Sequence, residues 1–226
     1  MSDPVPLSRL YQQTRTRFSD FVLGLPPASW ASAVPATPGW SVRDVVAHVT
    51  GVAQDMALRK VPAAGPTPEW TAGHVERGRD SSVPELLVTW ANASPGVEAL
   101  LDARPIWPTV LDAGAHELDV RGAVGDTGAR DSETVLVGSK VLLRGLSVDR
   151  PLLVRTEHSQ ARVGPPTQDG EPDQPVTLTT TAFEVVRWRL GRRSRRQLAA
   201  MDWSADPEPF LDHLCVFGPA ADDVLE

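Results

Sequence analysis

Between residues 6 and 149, apolar side chains recur at spacings of three, four and seven, in stretches cut apart by proline, glycine and capping serine. A chain patterned this way buries its apolar stripes by packing helix against helix. Leu7, Leu10, Tyr11, Phe18, Phe21, Val22 and Leu25 mark a first helix that Pro26 and Pro27 end. Residues 26 to 39 read as a loop anchored by Trp30. A second helix starts where the Ser41 side chain can accept from the backbone N–H of Asp44, an acidic residue suited to the first turn. Val45, Val46, Val49, Val52, Ala53 and Met56 carry it to about Lys60.

Residues 61 to 79 hold several prolines and glycines and are expected to form a long loop of the kind that covers a site. Ser82-Val83-Pro84-Glu85 is a strong start signal for a third helix, running to about Ala103. After the Arg104-Pro105 break, Trp107-Pro108 opens a fourth, with Val110, Leu111, Ala115, Leu118 and Val120 leading to Gly122 or Gly125. A fifth spans about 132 to 148. Beyond Asp149-Arg150-Pro151 the texture becomes strand-like at 152–156 and 175–180, with a Gly/Pro/Asp-rich connection between them. Helices near 182–190 and 207–217 are expected to follow. The expected organisation is α+β: a helical domain over 1–149 and a small α/β domain over 150–226.

The 226 residues are 41% hydrophobic and 23% charged, enough for a real core and not a composition of disorder. No apolar run reaches the roughly 20 residues that cross a bilayer, and the first residues lack a basic then apolar leader pattern. The expectation is a soluble, cytoplasmic protein with no membrane partner. The single Cys215 cannot form an internal disulfide, which suits a reducing compartment. A net charge of −7 opposes nucleic-acid binding, which depends on neutralising phosphates.

The chemistry concentrates on the second and fourth helices. Asp112 and His116 are four residues apart and share a helix face, and Asp119 joins that face one turn on. His48 comes from another helix, and bundles build metal sites from facing helices. Two imidazoles and a carboxylate suffice for a catalytic divalent ion with one exchangeable position. Spacing alone also admits structural histidines. Asp119 reads as an outer partner accepting an imidazole N–H, and Glu117 as pointing to solvent or pairing with Arg121. His74, His158 and His213 are not assigned to the ion. The run Arg192, Arg193, Arg195 and Arg196 reads either as a solvated helix end or as contacts to a substrate carboxylate.

The segment from Gly39 to Gly51, with its Trp40-Ser41-Val42-Arg43-Asp44 start and His48, resembles the first metal-ligand helix of the DinB-like superfamily, in its mycothiol-dependent maleylpyruvate isomerase branch. Asp112 to Gly125 resembles that branch's second ligand helix, and Leu190-Gly191-Arg192-Arg193 its small C-terminal domain. The resemblance implies an antiparallel four-helix bundle binding a zinc-type ion through His48, Asp112 and His116. Asp112 stands where the best-known isomerase pattern has Glu, a shorter arm. The resemblance further implies mycothiol as a low-molecular-weight thiol cosubstrate, a small electrophilic substrate, and isomerase or S-transferase activity. A metal-binding sensor closed by Asp119, or a metal-dependent hydrolase, are the alternatives. Either a monomer or a homodimer is compatible with this reading.

Overall fold

The computed structural model describes residues 5–63, 65–166 and 175–226. They fall into two compact units, Met1–Thr127 with Glu226, and Gly128–Leu225. The first unit holds α1 (Leu7–Gly24), a 3₁₀ turn (Pro27–Ala31), α2 (Val42–Ala57), α3 (Pro68–Arg77), α4 (Val83–Ala103) and α5 (Trp107–Ala123). The principal packed pairs are α2 with α4, α1 with α4, α1 with α5, and α2 with α5. So α1 and α2 occupy one diagonal of a four-helix bundle, α4 and α5 the other. Leu10, Phe18, Val22, Val45, Val46, Trp90, Val97 and Val110 are buried in it. Phe18 meets Trp90 edge-on at 5.7 Å, a geometry favoured by the aromatic quadrupoles. Gly96 lets α4 approach α2, because a Cβ there would lie 2.8 Å from that of Ala57.

The expected loop at 61–79 is corrected by α3, which packs on α2. Its start is written as clearly as that of α4: the Thr67 side chain accepts from the Trp70 N–H at 3.2 Å, Pro68 sits in the first turn and Glu69 follows. Nearby prolines and glycines hide the signal. The capping box of α2 is complete, since Asp44 Oδ2 also accepts from the Ser41 N–H at 2.9 Å.

The second unit begins with α6 (Glu133–Arg144), which packs against α7 (Ala182–Arg189). Leu143 joins Leu152, Val154, Leu178, Val185, Trp188 and Leu198 in one core, which draws α6 into this unit. The buried Arg189 secures the end of α6 by donating to the carbonyls of Leu142 at 3.2 Å and Gly145 at 3.2 Å, acceptors that a helix C-terminus leaves unpaired. The four-stranded sheet runs β2 (Gln160–Val163), β1 (Leu152–Arg155), β3 (Val176–Thr179), β4 (Asp202–Trp203). β1 pairs antiparallel with β2 and parallel with β3, with Leu152 opposite both Val163 and Val176. The Gly/Pro/Asp-rich connection expected between the strands lies partly outside the described residues.

The helix expected at 207–217 shrinks to a 3₁₀ turn at Leu211–His213. Phe210, Leu211 and Leu214 are all buried there, and one turn is enough to bury a pattern that short. Ser194 caps an unexpected α8 (Arg195–Ala199) through a capping box with Gln197. No helix among the described residues is long and apolar enough to cross a membrane.

Candidate metal centre

Two turns into α2, His48 faces α5, where Asp112 and His116 stand one turn apart. The structure brings these three together. Asp112 Oδ1 lies 3.7 Å from His48 Nε2 and 3.5 Å from His116 Nε2, and all three donor atoms fall within 4.8 Å of one another. Bond lengths of 2.0–2.2 Å in a tetrahedral zinc site put neighbouring ligand atoms about 3.4 Å apart. The donor set therefore fits an ion of that size, with only small closure. Both imidazoles are buried, while Asp112 is a third exposed and marks the open side. Trp40 walls the site, its ring 5.0 Å from that of His48 and 6.2 Å from that of His116.

Each imidazole is held from behind. His116 Nδ1 lies 3.0 Å from Oδ2 of Asp119, which is buried. His48 Nδ1 lies 3.1 Å from Nδ1 of His74, and His74 Nε2 lies 3.1 Å from Asp55 Oδ2. Asp55 also accepts from Trp70 Nε1 at 2.8 Å and from Arg77 Nη2 at 3.0 Å. Gly51, between His48 and Asp55 on α2, leaves room for the His74 ring, because a Cβ there would come within 2.6 Å of it. The sequence leaves His74 unassigned because residues 61–79 have the texture of a loop. The Thr67-Pro68-Glu69 start was the signal for α3, and Asp55, an acid seven residues from His48 on an apolar helix, was a second.

The charges are strongly coupled. Burial disfavours the His116 imidazolium, yet the Asp112 and Asp119 carboxylates outweigh it and lift its pKa to about 9. Burial likewise opposes ionisation of Asp112, but His116 and His48 hold its carboxyl well below the usual range. Burial, with His48 and Arg77 adding to it, pushes His74 down to about 4 against the pull of Asp55, so that ring is neutral at pH 7. A bound cation would replace the proton that His116 otherwise carries between the carboxylates.

Glu117, expected to point to solvent or to pair with Arg121, makes the Arg121 pair and is buried. It accepts from Arg121 Nε at 3.1 Å and from Arg17 through both oxygens, at 2.8 and 2.5 Å. In the second unit Arg193 is buried and makes a two-bond pair with Glu184, at 2.8 and 2.6 Å. Arg192 donates to the Leu190 carbonyl at 2.7 Å. Arg195 pairs with Glu208 and Asp212, and Arg196 with Asp223. The latter two open α8, where a cation opposes the helix dipole, and these carboxylates offset that cost. Among the other histidines, His158 is exposed and His213 lies 3.6 Å from Asp149.

A sequence model described as the mycothiol maleylpyruvate isomerase N-terminal domain matches residues 11–134. Two solved structures share the fold: a mycothiol-dependent maleylpyruvate isomerase, 17% identical with a TM-score of 0.57, and a histidine-to-alanine mutant of that enzyme, 16% identical with a TM-score of 0.56. Each alignment covers 91% of this chain and 96% of the other. No curated protein sequence gives a significant match.

Proposed function

Because this chain belongs to the mycothiol maleylpyruvate isomerase N-terminal domain family, we propose that it is a metal- and mycothiol-dependent isomerase of a small electrophilic substrate. The observation that carries this reading is the cluster His48, Asp112 and His116, with its exposed carboxylate edge. Those three residues would hold a divalent ion of the zinc type. When bound, such an ion favours the thiolate form of a thiol that reaches it. His48 and His116 present Nε2, and their Nδ1 atoms are engaged by His74 and Asp119. Asp119 is therefore already committed to His116, which favours an open position over a site closed by protein.

The buried rings of His48 and His116 and the Trp40 wall would shield a thiol held there from water on one side, and the partly exposed Asp112 would leave the other side accessible. Thiol addition to an activated double bond converts it to a single bond, rotation follows, and loss of the thiol restores the double bond. The thiol is regenerated, so the net change is geometric. We propose a division into a metal-binding domain and a smaller C-terminal domain, with α6 grouped with the smaller one and not with the 1–149 side.

The test is turnover of zinc-loaded protein on cis-configured unsaturated oxo acids, maleylpyruvate included, with and without mycothiol. The expected result is isomerisation that needs both zinc and thiol. Cleavage of the substrate that persists without thiol would assign the site to hydrolysis, and no isomerisation of any member of the panel would refute the isomerase.

A further inference from the structure

Behind the metal ligand His48 runs a second line of hydrogen bonds, and with both imidazoles neutral its chemistry leaves one arrangement of protons. Asp55 already accepts from Trp70 Nε1 and Arg77 Nη2, and a carboxylate has no proton to give. The contact from His74 Nε2 to Asp55 Oδ2 at 3.1 Å must therefore be an N–H donated by His74. A neutral imidazole has one N–H, so His74 Nδ1 carries a lone pair. The opposing atom 3.1 Å away, His48 Nδ1, must then be the donor. A metal-ligating imidazole is neutral, so in that form His48 Nε2 carries the lone pair, and it is Nε2 that faces Asp112 Oδ1.

We propose that Asp55 and His74 form a tautomer lock, a pair of positioning residues that hold His48 as the Nδ1–H form so that Nε2 presents its lone pair to the ion. This rests on reading His48, Asp112 and His116 as a metal centre. The lock spans two helices: α2 supplies Asp55 and His48, and α3 supplies His74, Trp70 and Arg77. Gly51 is part of the device, since it alone lets the His74 ring lie flush against α2 between the other two. The T-shaped contact of Trp70 on His74, 4.2 Å between ring centres, fixes the ring plane. On the other ligand, His116, a single carboxylate does the same work directly. His48 needs a relay because its nearest carboxylate on that side, Asp55, lies two turns along its own helix.

The discriminating variant is Asp55→Leu, which keeps the approximate size and shape but cannot accept. With no acceptor opposite His74 Nε2, the His74 proton moves to Nδ1, makes His48 Nδ1 the acceptor and places the His48 proton on Nε2, against the ion. Zinc affinity, measured by competition with a chromophoric chelator, should fall roughly 10- to 100-fold. The downfield proton resonance of the His48 Nδ1–H in zinc-loaded protein should shift or vanish. Gly51→Ala, which displaces the His74 ring without altering any hydrogen-bonding group, should lower affinity in the same way and serves if Asp55→Leu folds poorly. His74→Gln, which can accept from His48 and donate to Asp55, should retain more affinity than His74→Leu. Unchanged affinity and an unchanged His48 resonance in Asp55→Leu, with the parent binding one zinc, would overturn the lock. Because these readouts concern metal alone, a weakened Asp55→Leu in a protein that never shows thiol-dependent turnover would keep the lock and remove the isomerase.

Discussion

His116 Nδ1 and Asp119 Oδ2 stand 3.0 Å apart, three residues from one another on the same helix. That contact engages Nδ1 and turns Nε2 toward Asp112, which supports our proposal of His116 as a ligand and Asp119 as its outer partner. The two residues therefore make different contributions, which mutation can separate.

Removing His116 leaves two donors, too few to compete with water and buffer, so His116→Ala should lose stoichiometric zinc by elemental analysis. Asp119→Asn should keep zinc at one equivalent when the metal is in excess but bind it about 10- to 100-fold more weakly. Retention of one tight zinc in His116→Ala would dismantle the assigned ligand set.

The metal-free protein should be most stable near pH 6.5. His74 is depressed from 6.5 to about 4, so its contribution is complete above 6.5 and is lost as pH falls toward 4. His116 is raised from 6.5 to about 9, so its contribution is complete below 6.5 and is lost as pH rises through 9. Each arm is worth on the order of 3 kcal/mol at about 1.4 kcal/mol per pH unit. Urea unfolding of stripped protein at pH 4.5, 6.5 and 9 measures both. His74→Gln should flatten the acid arm and His116→Gln the alkaline one; a parent protein equally stable at 6.5 and 9 contradicts the buried imidazolium.

Cys215 should be dispensable. Burial pushes its thiol up to about 11 despite the nearby Arg189, so little thiolate exists at pH 7. Cys215→Ser should keep most mycothiol-dependent turnover; loss of that turnover, with metal and fold intact, would make Cys215 the nucleophile.

The arginine run should divide by environment. Arg193→Ala breaks a buried two-bond pair with Glu184 and should cost about 1.5–3 kcal/mol of stability. Arg196→Ala, at an 82% exposed side chain, should change stability by no more than about 0.5 kcal/mol. If Arg195 or Arg196 grips a substrate carboxylate, its alanine variant should lose about 2–5 kcal/mol on an anionic electrophile and nothing on a neutral one. Equal kinetics on both substrates would return the run to a surface role.

The helices of the bundle were legible because their information is local. The Ser41 and Ser82 caps, the Pro26-Pro27 stop and the three-and-four spacing of apolar residues act within one or two turns of the residues that carry them. His48, Asp112 and His116 were legible for a related reason: a shared helix face is a matter of spacing, and the family resemblance supplied the pairing of the two helices. By itself the sequence determined the helical faces and singled out the three residues we propose as metal ligands and the inertness expected of Cys215.

What only the tertiary structure decided is which polar groups stand behind the ligands. Asp55, His74, Trp70 and Arg77 come together through the packing of α3 on α2, and Gly51 permits it. The burial of Glu117 between Arg17 and Arg121 likewise depends on α1 meeting α5, across a hundred residues of chain. Helix propensity and capping are one-dimensional, whereas the proton on His48 is set by a carboxylate acting through a ring from a different helix. Such a relay exists only once the two helices have packed, because only burial makes it costly to leave any of its polar atoms without a partner.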